Sequence, residues 1–225
     1  MRRMGYLPLI LFLILLALLP LVFGQLFVTA MMKLRLGPMT ATILVMGIIL
    51  GGGINIPLKH IARNETLVED PLAILGLTGR WPRFQRIRQE TVIAVNVGGC
   101  LIPTGLAIYE IAYLLFDSPQ SIPWLAIAVA INTAVCYRLA QPVSGIGIAL
   151  PGLVPAAVAA MSALLLVPEE APPVAFVAGV LGPLIGADLL HLRDIEALET
   201  GVASIGGAGT FDGIVLSGIV AAYLA

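Results

Sequence analysis

Residues 173–225 read PVAFVAGVLGPLIGADLLHLRDIEALETGVASIGGAGTFDGIVLSGIVAAYLA. Two apolar runs, 173–192 and 204–225, flank a short charged stretch, 193–203. A hydrocarbon core about 30 Å thick needs about 20 apolar residues of helix, and each run is that long. The stretch therefore predicts a transmembrane helical hairpin. Each arm carries one acidic residue inside its apolar run, Asp188 in the first and Asp212 in the second.

The rest of the chain reads the same way. Of 225 residues, 59% are hydrophobic and 11% charged. Soluble domains carry about 25% charged residues, so this chain lacks the polar surface that water requires. Five further candidate spans lie at roughly 6–30, 39–57, 91–116, 123–140 and 142–167. They are separated by KLRLGP, the polar stretch 59–90, DSPQSIP, RLAQP and PEEAPP. The expected fold is all-α: one integral membrane domain over 1–225, about seven spans, several broken by Gly and Pro. The first apolar run exceeds the usual signal-peptide core and reads as an uncleaved helix.

Lys and Arg set the orientation. With the N-terminus inside, Arg2, Arg3, the 59–90 loop, Arg138 and Arg193 face the cytoplasm, and only Lys33 and Arg35 lie outside. The chain is thus expected to be a multi-pass protein of the inner (cytoplasmic) membrane, with its C-terminus outside. Segment 71–89, PLAILGLTGRWPRFQRIRQ, mixes apolar and basic residues and is expected to lie on the inner membrane surface. Net charge is -1, and no basic tract points to nucleic acid.

Gly and Pro are frequent within the spans. GGINIP (52–57) and GGCLIP (98–103) share G-G-x-x-I-P, and GIGIALPGLVPAA (145–157) carries Pro151 and Pro155. Such segments pack closely through glycine, or are buried where freed carbonyls find partners.

At about 1.5 Å per helical residue, Asp212 falls about 20 Å from the outer face and Asp188 about 22 Å. Two carboxyls at one depth, on neighbouring helices, are costly in lipid and imply a role. Gly186, Gly207, Gly209 and Gly213 surround them and leave room for water or a substrate chain. Two nearby carboxylates do not both ionise comfortably, and a pair sharing one proton is suited to acid–base catalysis or to carrying a proton or cation. Alternatively, each aspartate caps a helix.

GGGINIPL (51–58), NVGGCLIP (96–103), GIGIALPGLVPA (145–156), IGADLLHL (185–192) and SIGGAGTFDGI (204–214) resemble a prokaryotic membrane family known as domain of unknown function 1614. That resemblance covers most of the chain and implies a polytopic membrane fold without implying an activity. ADLL and GAGTFDG are also similar to the two aspartate elements of GxGD, presenilin-type intramembrane aspartyl proteases. That likeness implies Asp188 and Asp212 as catalytic residues. The glycine pattern here is G-x-G-x-x-D, no Tyr precedes Asp188, and Pro155-Ala156-Ala157 stands upstream of the place where a Pro-Ala-Leu element is expected.

Other polar groups have plainer readings. Asp188, His191 and Asp194 have the spacing of a metal set, but the latter two fall where the span leaves the membrane, and no metal or cofactor is expected. Glu110 reads as structural, and Asn55, Asn96 and Asn132 as interhelical hydrogen bonders. Cys100 and Cys136 read as small core residues. Three functions follow: an intramembrane aspartyl-type protease cutting a transmembrane peptide, a proton- or ion-coupled transporter or channel, and a non-catalytic membrane organiser. The lipid bilayer is the expected partner, with a homo-oligomer for the transporter.

Overall fold

A computed structural model describes residue 10 and residues 22–69, 84–143, 147–197 and 202–225. The helices are α1 (Val22–Lys33), α2 (Pro38–Gly51), α3 (Ile102–Asp117), α4 (Ile122–Leu139), α5 (Leu153–Leu166), α6 (Ala171–Pro183), α7 (Leu192–Ala197) and α8 (Gly213–Leu224). Prolines sit in the first turns of α2, α3, α4 and α6, where a missing N–H costs nothing. Wider helical turns precede α3 (Val97–Leu101) and extend α6 (Leu184–Leu189).

Three continuous helices, Val97–Asp117, Pro119–Leu139 and Pro168–Leu189, are long and apolar enough to cross a membrane. Large apolar side chains such as Met39, Phe116 and Leu165 point outward, as lipid contact requires and water does not favour. The protein is a membrane protein, mostly helical.

Helix α6 is the centre of the bundle, with α8, α4, α5 and α3 packed around it. Glycine makes this closeness feasible. A methyl group built on Gly179 would lie 2.7 Å from the Ser217 carbonyl oxygen, and one on Gly218 2.5 Å from Val180 Cγ2. Asn132 of α4 donates from Nδ2 to the Ala178 carbonyl of α6 at 2.8 Å, the interhelical bond expected of it. Cys100 and Cys136 are buried free thiols.

The all-α expectation needs correction. Strands β1 (Asn55–Glu69) and β2 (Phe84–Asn96) form a long antiparallel hairpin from Asn55↔Asn96 to Glu69↔Phe84. Strand β5 (Val202–Ile205) adds in parallel, Val92↔Val202 to Val95↔Ile205. A second hairpin pairs β3 (Gln141–Val143) with β4 (Gly147–Ala149). Much of the expected surface loop 59–90 is therefore strand, and segment 71–83 lies outside the described residues, as does most of the first expected span. The run TVIAVNV (91–97) misled because a short buried β-branched strand and a helix segment cannot be told apart by periodicity. Expected spans 39–57, 142–167 and 204–225 counted strand and turn residues as helix. Helices α2 and α5 have 14 residues and α8 has 12, short of the length needed to cross.

The bundle has two distinct ends. The sheet, α7, and the starts of α3, α5 and α8 lie at one. At the other, Arg35 pairs with Glu170, Ser118 Oγ donates to Glu170 Oε1 at 3.1 Å, and Lys33 Nζ donates to the Tyr223 carbonyl at 2.7 Å. These bonds tie the α1–α2, α3–α4 and α5–α6 connections to the end of α8.

Candidate functional site

The two G-G-x-x-I-P segments and the GGAGTFDG segment meet at the sheet end, backbone against backbone. A methyl group on Gly98 would lie 2.1 Å from the Ile48 carbonyl oxygen. One on Gly99 would lie 2.0 Å from the Gly206 carbonyl oxygen. Gly206 (φ 72) and Gly209 (φ 60) occupy the left-handed region, which bends β5 sharply into α8. A methyl on Gly209 would come within 3.0 Å of Gly52 Cα.

Two asparagines lock this junction. Asn96 caps the turn before α3, its Oδ1 accepting from Gly99 N at 2.7 Å, while its Nδ2 donates to the Gly52 carbonyl at 2.8 Å and to Asn55 Oδ1 at 3.0 Å. Ser204 Oγ of β5 donates to the same Asn55 oxygen at 2.6 Å. Asn55 and Asn96 thus join strands and turns rather than helices.

This scaffold brings the two aspartates together. Both Asp188 and Asp212 line a cavity of about 350 Å³, whose other walls come from β4 (Gly147, Ile148), β5 and the following turn, and Asn55. They also line an adjoining cavity of about 190 Å³ with Leu150 and Phe211. Asp212 ends the turn before α8 and caps that helix, as one sequence reading held. Its Oδ1 accepts from Ile214 N at 3.0 Å and its Oδ2 from Ala208 N at 3.3 Å. No described residue donates a hydrogen bond to the Asp188 carboxyl. Capping therefore accounts for Asp212 and leaves Asp188 unexplained.

The four glycines divide by role. Gly207 and Gly213 line the cavities, one in each. Gly209 supplies the positive φ. Gly186 packs away from the cavity, where a methyl would lie 2.4 Å from the Thr133 carbonyl oxygen on α4. Asn55, Ser204 and Ile148 are wall residues that sequence reasoning did not assign to the site. The S-x-G-G turn beside GTFD was the available signal for Ser204; nothing local pointed to Ile148.

His191 Nδ1 lies 3.0 Å from the Gly186 carbonyl oxygen, and its ring lies 4.8 Å from that of Tyr137. Among the described residues, no three His, Cys, Asp or Glu side chains gather as a metal set.

Fold and site together define a helical membrane protein with a carboxyl pair in a cavity at one end of its bundle. The chain belongs to the family described as "Protein of unknown function (DUF1614)", whose profile matches residues 48–224. Comparison with curated proteins and with solved structures finds no match, so the GxGD protease likeness is not borne out.

Proposed function

We propose that this protein is an intramembrane aspartyl-type hydrolase that uses Asp188 and Asp212 on a peptide bond of a membrane-embedded segment. One observation carries the reading: two carboxyls from different elements line a single cavity of about 350 Å³. That volume falls in the usual range of ligand pockets, about 300–1,000 Å³. The reading rests on this placement and not on the protease likeness.

The hydrogen bonds divide the labour. Two N–H groups facing Asp212 favour negative charge there, so Asp212 is the base and Asp188 holds the proton. Asp212 takes a proton from water, the hydroxide oxygen bonds to the amide carbon, and the Asp188 proton passes to the carbonyl oxygen. The resulting diol collapses: the C–N bond breaks, the Asp212 proton goes to the leaving nitrogen, and one hydroxyl proton returns to Asp188.

The proposed setting is the inner membrane, with seven crossings, the N-terminus and the sheet end in the cytoplasm and the C-terminus outside. Helices too short to span would complete their crossings through strand and turn backbone buried in the junction, as non-helical backbone at membrane depth requires.

The test is binding and cleavage in proteoliposomes. A transition-state analogue of aspartyl proteases should label the wild type and lose affinity for Asp188→Asn and Asp212→Asn, and transmembrane peptides should be cut only by the wild type. Absence of both, with ion flux that vanishes in the same variants, would replace this reading with the ion-coupled transporter.

A further inference from the structure

Helices α1 and α2 and the turn before α8 enclose another cavity, of about 270 Å³, at the same end of the bundle as the aspartates. Its walls are apolar. Phe23, Gly24 and Phe27 come from α1, Val45 and Ile49 from α2, and Phe211 from the turn. Positions 23, 24 and 27 share one face of α1 at i,i+3 and i,i+4 spacing, and 45 and 49 share one face of α2. Phe27 and Val45 are buried, whereas Phe23, Ile49 and Phe211 are exposed, so the cleft is floored on the bundle and open at its outer surface. A methyl group built on Gly24 would meet no described atom within 4 Å. Glycine is less favourable than alanine inside a helix, and here no close contact requires it. Its effect is to keep the cleft wide.

Phe211 joins this cleft to the carboxyls. It also belongs to the wall of the 190 Å³ cavity that Asp188 and Asp212 line, and it directly precedes Asp212. Its ring meets that of Phe23 edge-on, with centroids 6.2 Å apart. The turn that carries it is held against the end of α2, since a methyl on Gly209 would come 3.0 Å from Gly52 Cα. The cleft therefore has a fixed place beside the aspartates. Neighbouring Cα atoms are about 3.8 Å apart, and an extended chain advances about 3.3 Å per residue. A side chain seated beside Phe211 thus belongs to a residue within about two of a bond held at Asp212.

We propose that this cleft is a side-chain pocket of the hydrolase, taking a large apolar residue, Phe or Leu, within about two residues of the bond that the aspartates cut. The inference rests on the hydrolase reading and names its substrate class: membrane-embedded segments with a bulky apolar side chain beside the cleaved bond. The cleft is smaller than the usual pocket for a whole ligand, about 300–1,000 Å³, and suits one part of a longer chain. Lipid tails are as apolar as these side chains, so selectivity comes from shape and contact rather than from escape from water. A small side chain such as Ala leaves the walls without those contacts.

The experiment uses the full chain in proteoliposomes and two transition-state analogues of aspartyl proteases. They differ only in the side chain next to the isostere, Phe in one and Ala in the other, and each affinity is corrected for partition into protein-free vesicles. The wild type should favour the Phe analogue by about tenfold or more. Gly24→Leu, which fills open space, and Phe211→Ala, which removes an exposed ring from the cleft wall, should each bring that ratio toward one. If Gly24→Leu does not fold, Ile49→Trp narrows the cleft from an exposed position and takes its place. Equal binding of both analogues to the wild type, or a Phe preference that survives in the cleft variants, would overturn the pocket and leave the hydrolase standing, because both analogues still bind. Binding of neither analogue to the wild type would remove the hydrolase, and the pocket with it.

Discussion

Gly99→Ala is the sharpest perturbation of the site that touches neither aspartate. The added methyl would sit 2.0 Å from the Gly206 carbonyl oxygen, against the roughly 3.3 Å a carbon–oxygen contact needs. The turn must therefore retreat by more than about 1 Å. It has little freedom to do so, because Gly206 holds φ 72 and is itself wedged against Gly99 and Cys100. Forced overpacking of this kind costs about 1–3 kcal/mol. The retreating turn leads straight to Asp212, and misplacing a catalytic group by about 1 Å can cost about 100-fold in rate. Gly105→Ala is the matched control: nothing lies within 4 Å of its added methyl, and it removes a glycine from the interior of α3. It should leave stability unchanged or raise it by about 0.5–1 kcal/mol. Reversible unfolding in mixed micelles, with analogue binding, reads both variants. If Gly99→Ala unfolds alongside Gly105→Ala and binds the analogue as the wild type does, the glycine junction does not set the geometry of the site. Gly98→Leu and Gly99→Leu should fail to assemble.

Two further outcomes follow from the geometry. Asp212→Ala removes the acceptors for Ile214 N and Ala208 N and should cost about 1 kcal/mol, whereas Asp212→Asn keeps a capping oxygen and should cost only a few tenths while still losing function; equal stability of Ala and Asn variants in the same unfolding assay would refute the cap. Single cysteines at exposed positions His60 and Gln120, one at each end of the bundle, should label with a membrane-impermeant maleimide from opposite faces, the native Cys100 and Cys136 being buried; labelling of both from one face of oriented vesicles would refute the crossing pattern.

The sequence by itself determined the solvent. With so few charges, the chain has no means of presenting a surface to water, and this holds whatever the fold. It also singled out Asp188 and Asp212, because two acids in adjacent apolar runs are expensive in lipid. The strand layer was not legible, because apolar β-branched runs such as TVIAVNV satisfy the length ruler for a helix as well as for a strand. The partners of the glycines were equally hidden. G-G-x-x-I-P announces close approach, but only the tertiary structure decided that Gly98 meets Ile48 and that Gly99 meets Gly206. Glu110 shows the same limit. Its place on a span was readable, but its burial depends on which face of α3 turns toward α6, and helix rotation is set by packing between residues far apart in the chain.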